Sequence, residues 1–342
     1  MNGQGPAPVA GVAARCATVL DAAVAVLAAA RSVTVLCHVQ PDADTIGSGL
    51  ALALALDRRG VPVTVSFAEP AELPASLRSL PGIEHLVPPA EVPGEVDLLI
   101  VVDCGARSRL GALADRLPGA SSTLVIDHHR ANEGFGTVDL IDETAASTTE
   151  LVTRLLDAWG VPIDAEIAHC LFAGLVTDTG SFRWARPGSH GLAERLLATG
   201  IDGTEITRVL LDTHPFSWLP MLSKVLASAV VVPSAAGVGL VYALVRAADT
   251  HEVGPEEVES VIDVVRTTSE AGIAAVFKES RGQNDRWTVS LRSRDSAPGT
   301  SDGVDVAAVA SAFGGGGHRF AAGYTTYGSA GDVVRALIAA LG

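Results

Sequence analysis

Four short stretches of the chain carry residues able to do chemistry. "HVQPDADTIGSG" (38–49) sets His38, Asp42 and Asp44 within seven positions. "VVDCG" supplies Asp103, "VIDHH" supplies Asp127, His128 and His129, and "LVTDTGSF" supplies Asp178. If Asp42, Asp44, Asp103 and Asp178 converge, their charges repel, and the group must take up protons or cations. Two divalent ions would offset the four carboxylates. Mixed carboxylate and imidazole donors without thiolate favour manganese- or magnesium-like ions, admit cobalt or iron, and disfavour a tetrahedral cysteine zinc site. Two such ions about 3.5–4 Å apart can clamp a phosphoryl oxygen and activate water, the two-metal route to phosphoester hydrolysis.

Convergence depends on the elements around these residues. "SVTVLC" (32–37), "VPVTVSF" (61–67), "VDLLIVV" (96–102) and "STLVIDHH" (122–129) read as short buried strands, and "ADTIGSGLALALALDRRG" (43–60) as a helix closed by Gly60. Helix-like segments such as "SRLGALADRL" lie between some of them, and further helices are expected at 147–160 and 164–180. Strands alternating with helices indicate an α/β fold with a parallel sheet and helices on both faces, in which ligands bind beyond the carboxyl ends of the strands. The acidic and imidazole residues stand at those ends. Each stretch also has a plain structural reading. "PDAD" before a helix is ordinary capping chemistry. Asp103 alone would cap the following helix-like run, Asp178 with Thr179 and Gly180 would form a turn, and His128 and His129 would be surface or core histidines. The same chemistry at four separate element ends weighs against coincidence.

The chain has 342 residues, 48% of them hydrophobic, enough for two domains that each bury a core. Its four cysteines show no paired spacing, so buried free thiols and a cytoplasmic location are expected. "CATVLDAAVAVLAAA" (16–30) has the look of a signal-peptide apolar region, but Asp21 interrupts it and the spacing suits an amphipathic helix. No segment is long and apolar enough to span a bilayer, so no membrane partner is expected. A net charge of −15 excludes a protein that grips long duplex nucleic acid by a broad basic face. Lys224 and Lys278 are the only lysines, so positive charge comes almost wholly from arginine, suited to fork-like phosphate contacts.

Beyond about residue 205 the character changes, and 206–226, with Pro215 and Pro220, reads as a linker. A hairpin at 229–245, a helix in "PEEVESVIDVVRTT" and strands in "AGIAAVFKE" and "DRWTVSLRSR" then make a second, smaller α+β domain. It contains "FGGGGHRFAAGY" (313–324), whose glycines let backbone approach a ligand and expose amides to phosphate oxygens.

In order and wording, "HVQPDADTIGS", "VVDCG", "VIDHH" and "LVTDTGSF" resemble the four motifs of the DHH phosphoesterases, and "SLRSR" followed by "FGGGGHRFAAG" resembles the DHHA1 domain that accompanies them. The resemblance runs from about residue 30 to 325. By length and domain order the chain looks like the oligoribonuclease and pAp-phosphatase type, related to enzymes acting on cyclic di-AMP and pApA. The resemblance implies a DHH catalytic domain over 1–205, a linker over 206–226 and a DHHA1 substrate-binding domain over 227–342, with a cleft between the domains. It also implies that His38, Asp42 and Asp103 hold one manganese ion and that Asp44, Asp103, His128 and Asp178 hold a second, with magnesium or cobalt as substitutes. Asp127 would orient an imidazole or the attacking water, and His129 would touch the scissile phosphate or the departing oxygen. Arg292, Ser293, Gly315, Gly316, Gly317 and His318 would bind the terminal or 3′ phosphate. The expected substrates are short RNA oligonucleotides (nanoRNA) and adenosine bisphosphate or dinucleotides, and a homodimer is compatible with this reading. Two rivals are an inorganic pyrophosphatase of family II and a catalytically silent nucleotide-binding sensor. The scarcity of lysine and "FGGGGH" oppose the first, and the complete set of ligand positions opposes the second.

Overall fold

A computed structural model describes residues 10–342 except 131, 133, 284 and 295–302; the side chains of 10–17 and of His318 are also outside the described part. The chain divides into two compact units meeting between Thr213 and His214.

In the first unit, helix α1 (Ala10–Ala29) leads into strand β1 (Val33–Leu36), followed by α2 (Ala43–Asp57), β2 (Val63–Ser66), β3 (Val96–Val102), β4 (Ala120–Asp127) and β5 (Val138–Ile141). Four helices complete it: α3 (Thr148–Ala158), α4 (Ala165–Asp178), α5 (Ser189–Leu197) and α6 (Gly203–Leu211). All neighbouring strands pair in parallel, in the order β2-β1-β3-β4-β5. This order reverses between β1 and β3, where two successive crossovers leave in opposite directions and open a crevice.

Alternation along β3 divides the core. Leu98, Ile100 and Val102 face a cluster shared with α1, α2, α3 and α4, while Leu99 and Val101 face Leu110 and Leu113. Helix α2 is buried from Ala43 to Leu56, which explains why its sequence is apolar on every side. The region from the "CATVLDAAVAVLAAA" segment contributes Ala23 and Leu27 to this core. The second face of the sheet departs from expectation. "SRLGALADRL" lies in a 3₁₀ stretch, Arg107–Gly119, broken at Gly111 with φ 56°. With that break and Pro118 in the run, a continuous α-helix is unavailable.

The second unit contains α7 (Trp218–Ala227), β6 (Val230–Val232), β7 (Leu240–Val245), α8 (Pro255–Val265), β8 (Ile273–Glu279) and β9 (Arg286–Ser293). It ends with α9 (Val306–Ala312), β10 (Gly316–His318), β11 (Ala321–Tyr327) and α10 (Ala330–Leu341). Its six-stranded sheet has the order β10-β11-β9-β8-β7-β6 and is antiparallel except where β7 pairs in parallel with β8. One face packs on α9 and α10, the other on α7 and α8.

Residues 206–226, read from the sequence as a linker, contain the division between the units and also hold the end of α6 and most of α7. Pro220 is no obstacle, because it lies in the first turn of α7, where a backbone N–H has no intrahelical acceptor anyway. Among the described residues no helix is long and apolar enough to cross a membrane.

Candidate metal centre and phosphate-binding elements

The carboxyl ends of β1, β3 and β4 deliver the expected residues to one place. His38 follows β1 and is almost fully buried. Its Nε2 lies 3.6 Å from Asp42 Oδ2 and 3.4 Å from Asp103 Oδ2. Asp42 divides its two oxygens. Its Oδ1 accepts from the backbone N–H groups of Asp44 and Thr45, capping α2, while Oδ2 turns to His38. Asp103, just past β3, has φ 56°, an unfavourable conformation that an aspartate tolerates better than most residues. Asp103 does not cap the segment that follows; that position belongs to Ala106.

His128 Nε2 forms a second focus, 3.1 Å from Asp178 Oδ2, 3.6 Å from Asp103 Oδ1 and 3.9 Å from Asp44 Oδ2. The two oxygens of Asp103 thus face different imidazoles. Two groups, His38–Asp42–Asp103 and Asp44–His128–Asp178, have ligand atoms close enough for each to hold a cation. A third grouping joins Asp103, His128 and His129.

The electrostatics fit cations. Asp44 is fully buried, and burial followed by the charges of Asp178 and Asp103 holds its carboxyl well above the usual range. Burial likewise raises Asp178, against the pull of His128. Burial alone would lower the His38 imidazole, yet Asp42 and Asp103 outweigh it and lift it to about 10. His128 is lifted in the same way, to about 11, chiefly by Asp178 and Asp103. Without metal, protons supply the positive charge that this donor set requires. Asp178 also closes α4 at the carboxyl end, where the helix dipole disfavours an anion, so it too calls for a cation beside it.

Supporting groups hold this arrangement. Asp44 accepts from the backbone N–H groups of Thr148 and Thr149, at 2.7 and 2.9 Å, at the amino end of α3. Thr148 Oγ1 donates to Asp103 Oδ1 at 3.0 Å. Their signal in the sequence was the capping box "STTE": the hydroxyl of Ser147 caps Glu150 N–H, and the Glu150 carboxylate accepts from Ala146 N–H. Asp127 Oδ1 lies 2.6 Å from His129 Nδ1, and Asn132 donates to Asp127 Oδ2 at 2.7 Å. The His129 ring is therefore oriented through Nδ1. Arg109 reaches His38 Nδ1, which also lies 2.8 Å from Val39 O. Neither Asn132 nor Arg109 carries a local pattern that would have singled it out.

In the second unit, β11 pairs with both β9 and β10, and Ala321 is in register with Arg292 on one side and His318 on the other. Arg292 Nη1 donates to Leu291 O. Ser293 Oγ donates to Val304 O at 2.8 Å, so this hydroxyl is engaged within the fold. The glycine run has a structural demand of its own. A Cβ at Gly315 would lie 2.2 Å from Gly323 O, and one at Gly317, where φ is 142°, would lie 2.5 Å from Ala321 O. Gly316 has open space where a Cβ would stand. The His318 side chain lies outside the described part. Cys37, Cys104 and Cys170 are buried free thiols.

Known proteins share this organisation. Residues 32–175 match the DHH family, N-terminal domain, and residues 237–341 match the DHHA1 domain. Over 294 residues the chain is 33% identical to the bifunctional oligoribonuclease and PAP phosphatase NrnA of Thermus thermophilus, covering 85% of this chain and 83% of that protein. It is 30% identical over 200 residues to the cyclic-di-AMP phosphodiesterase PdeA of Listeria monocytogenes, covering 53% of this chain and 30% of that protein. The crystal structure of an exopolyphosphatase-related protein from Bacteroides fragilis superposes with a TM-score of 0.83 at 25% identity, over 95% of this chain and 96% of that one. With both domain matches in order and a relative aligned along most of its length, the chain belongs to the DHH/DHHA1 phosphoesterase family.

Proposed function

We propose that this protein is a manganese-dependent hydrolase that cleaves short oligoribonucleotides to mononucleotides and removes a phosphate from pAp to give AMP. The same chemistry extends to pApA and cyclic di-AMP. The observation that carries this reading is the position of Asp103, with Oδ2 3.4 Å from His38 Nε2 and Oδ1 3.6 Å from His128 Nε2. One carboxylate between two imidazole–carboxylate groups suits a ligand shared by two ions. His38, Asp42 and Asp103 would hold one, and Asp44, Asp103, His128 and Asp178 the other. Bound there, the ions supply Lewis acidity that neutralises phosphoryl charge and activates water near neutral pH.

The chain's own residues do the rest. His129, held at Nδ1 by Asp127, presents its ring to the departing oxygen and gives it a proton as the P–O bond breaks. Asn132 fixes the far oxygen of Asp127, which keeps that imidazole aimed. Thr148 and Thr149 keep Asp44 pointed inward. In the second unit, Arg292, the backbone of Gly316 and Gly317, and His318 form the phosphate grip, with Gly315 shaping the loop while its N–H is engaged with Ala310 O. Ser293 takes part by holding the strand beside Arg292, since its hydroxyl is engaged with Val304 O and its backbone N–H with Phe320 O.

The test is turnover by metal-stripped protein, with and without manganese, on pAp, pApA, cyclic di-AMP and pyrophosphate. Manganese-dependent release of AMP is expected. Hydrolysis of pyrophosphate alone would make the protein a pyrophosphatase, and nucleotide binding without turnover would make it a sensor.

A further inference from the structure

Immediately past the candidate ligand Asp178, the chain enters a left-handed turn. Gly180, Ser181 and Phe182 have φ of 55°, 55° and 63°, a left-handed run unfavourable for serine and phenylalanine. The turn brings Trp184 back over the end of α4, where its Nε1–H donates to Asp178 O at 2.6 Å and its backbone N–H to Thr179 O at 3.2 Å. A Cβ at Gly180 would lie 2.2 Å from the Trp184 ring, so only glycine leaves room for the indole there. The ring is thus fixed to the backbone of a candidate metal ligand, yet Trp184 remains 49% exposed. The guanidinium of Arg183, also exposed, stands over the ring at 5.9 Å from its centre.

A tryptophan serving only the core would be covered. An indole locked in place and open to solvent, beside a phosphoester centre, has the properties of a stacking surface for a planar heterocycle. We propose that Trp184 is the platform for the nucleobase next to the scissile phosphate, and that it selects nucleotides over phosphate compounds that lack a base. The cation on Arg183 favours the same anionic ligand. This assignment rests on the nucleotide hydrolase reading above and adds a specificity residue to it.

The experiment compares W184A and W184F with the wild-type holoenzyme on pApA and on the same dinucleotide with both bases removed, and measures AMP binding by calorimetry. Loss of a base-stacking surface is expected to raise KM for pApA roughly 5- to 150-fold in W184A, with a matching loss of AMP affinity. KM for the abasic dinucleotide should stay unchanged, and W184F should recover most of the loss. Wild-type KM and AMP affinity in W184A would overturn the platform. Equal losses on pApA and the abasic compound would also overturn it, because the indole would then act only by positioning Asp178. If the wild-type enzyme hydrolyses no nucleotide, the parent reading falls on turnover alone, and AMP calorimetry still decides Trp184.

Discussion

The contact between α2 and α4 gives a direct handle on the metal centre through the substitution Gly174→Ala. A Cβ at Gly174 would lie 2.5 Å from Asp44 Oδ1, 2.5 Å from Thr149 Cγ2 and 2.8 Å from Thr149 Oγ1. None of these neighbours can retreat, because Asp44 and Thr149 are both fully buried and the carboxylate is tied to the amides of Thr148 and Thr149. Overpacking of this kind costs about 1–3 kcal/mol, while alanine in place of glycine within a helix returns roughly 1 kcal/mol. The metal-free variant should therefore lose about 1 kcal/mol of stability in denaturant unfolding. The larger effect falls on Asp44, which must turn away from His128. Disturbing a ligand's support typically weakens metal binding about 10- to 100-fold, and calorimetry should show that loss for one of two manganese sites. Gly191→Ala on α5 is the control, since a Cβ there meets nothing within 4 Å. It should stabilise the protein by up to about 1 kcal/mol and leave manganese binding alone. If Gly174→Ala bound two manganese ions with wild-type affinity, Asp44 would not be the ligand that the α2–α4 contact positions.

Other outcomes follow from the same geometry. Asp103→Ala removes the carboxylate proposed to be shared, so turnover of every substrate should vanish and manganese stoichiometry should fall below that of any other single ligand variant; retained turnover would refute the sharing. In the metal-free protein His38 and His128 titrate near 10 and 11 instead of 6.5, so the stability they contribute is complete below about pH 6.5 and is lost as pH rises through those values. Urea midpoints of metal-free protein should fall between pH 6.5 and 10, and a flat or rising profile would contradict the protonated site. Arg292→Ala should raise KM for pAp while leaving manganese affinity unchanged, and unaltered KM would remove that arginine from the phosphate grip.

The residues that gather at the candidate metal centre were legible in the sequence because each follows a short apolar run, and a strand's end shows in hydropathy alone. His38, Asp42, Asp103 and His128 could be located that way, as could Asp178 at the end of a helical run. So could the parallel sheet, from strands alternating with helices. Local pattern does not show which way a terminal side chain points. Only the strand order β2-β1-β3-β4-β5 sets the end of β3 between those of β1 and β4 and lets Asp103 turn one oxygen to each imidazole. Asn132 and Arg109 reach their partners through the way loops close on one another, which no spacing records. The division between the units, at Thr213 and His214, falls inside the segment read as a linker, but its helical ends were hidden because a proline in a first helical turn looks, in sequence, like a proline in a loop. The glycine run was visible as backbone that comes close to something; that one of those partners is its own neighbouring strand, β11, emerged only when the chain was folded. Composition and periodicity determined what kinds of element and chemistry this chain carries, whereas crossovers and register decided which atoms meet, because contact between residues far apart in sequence is a property of packing.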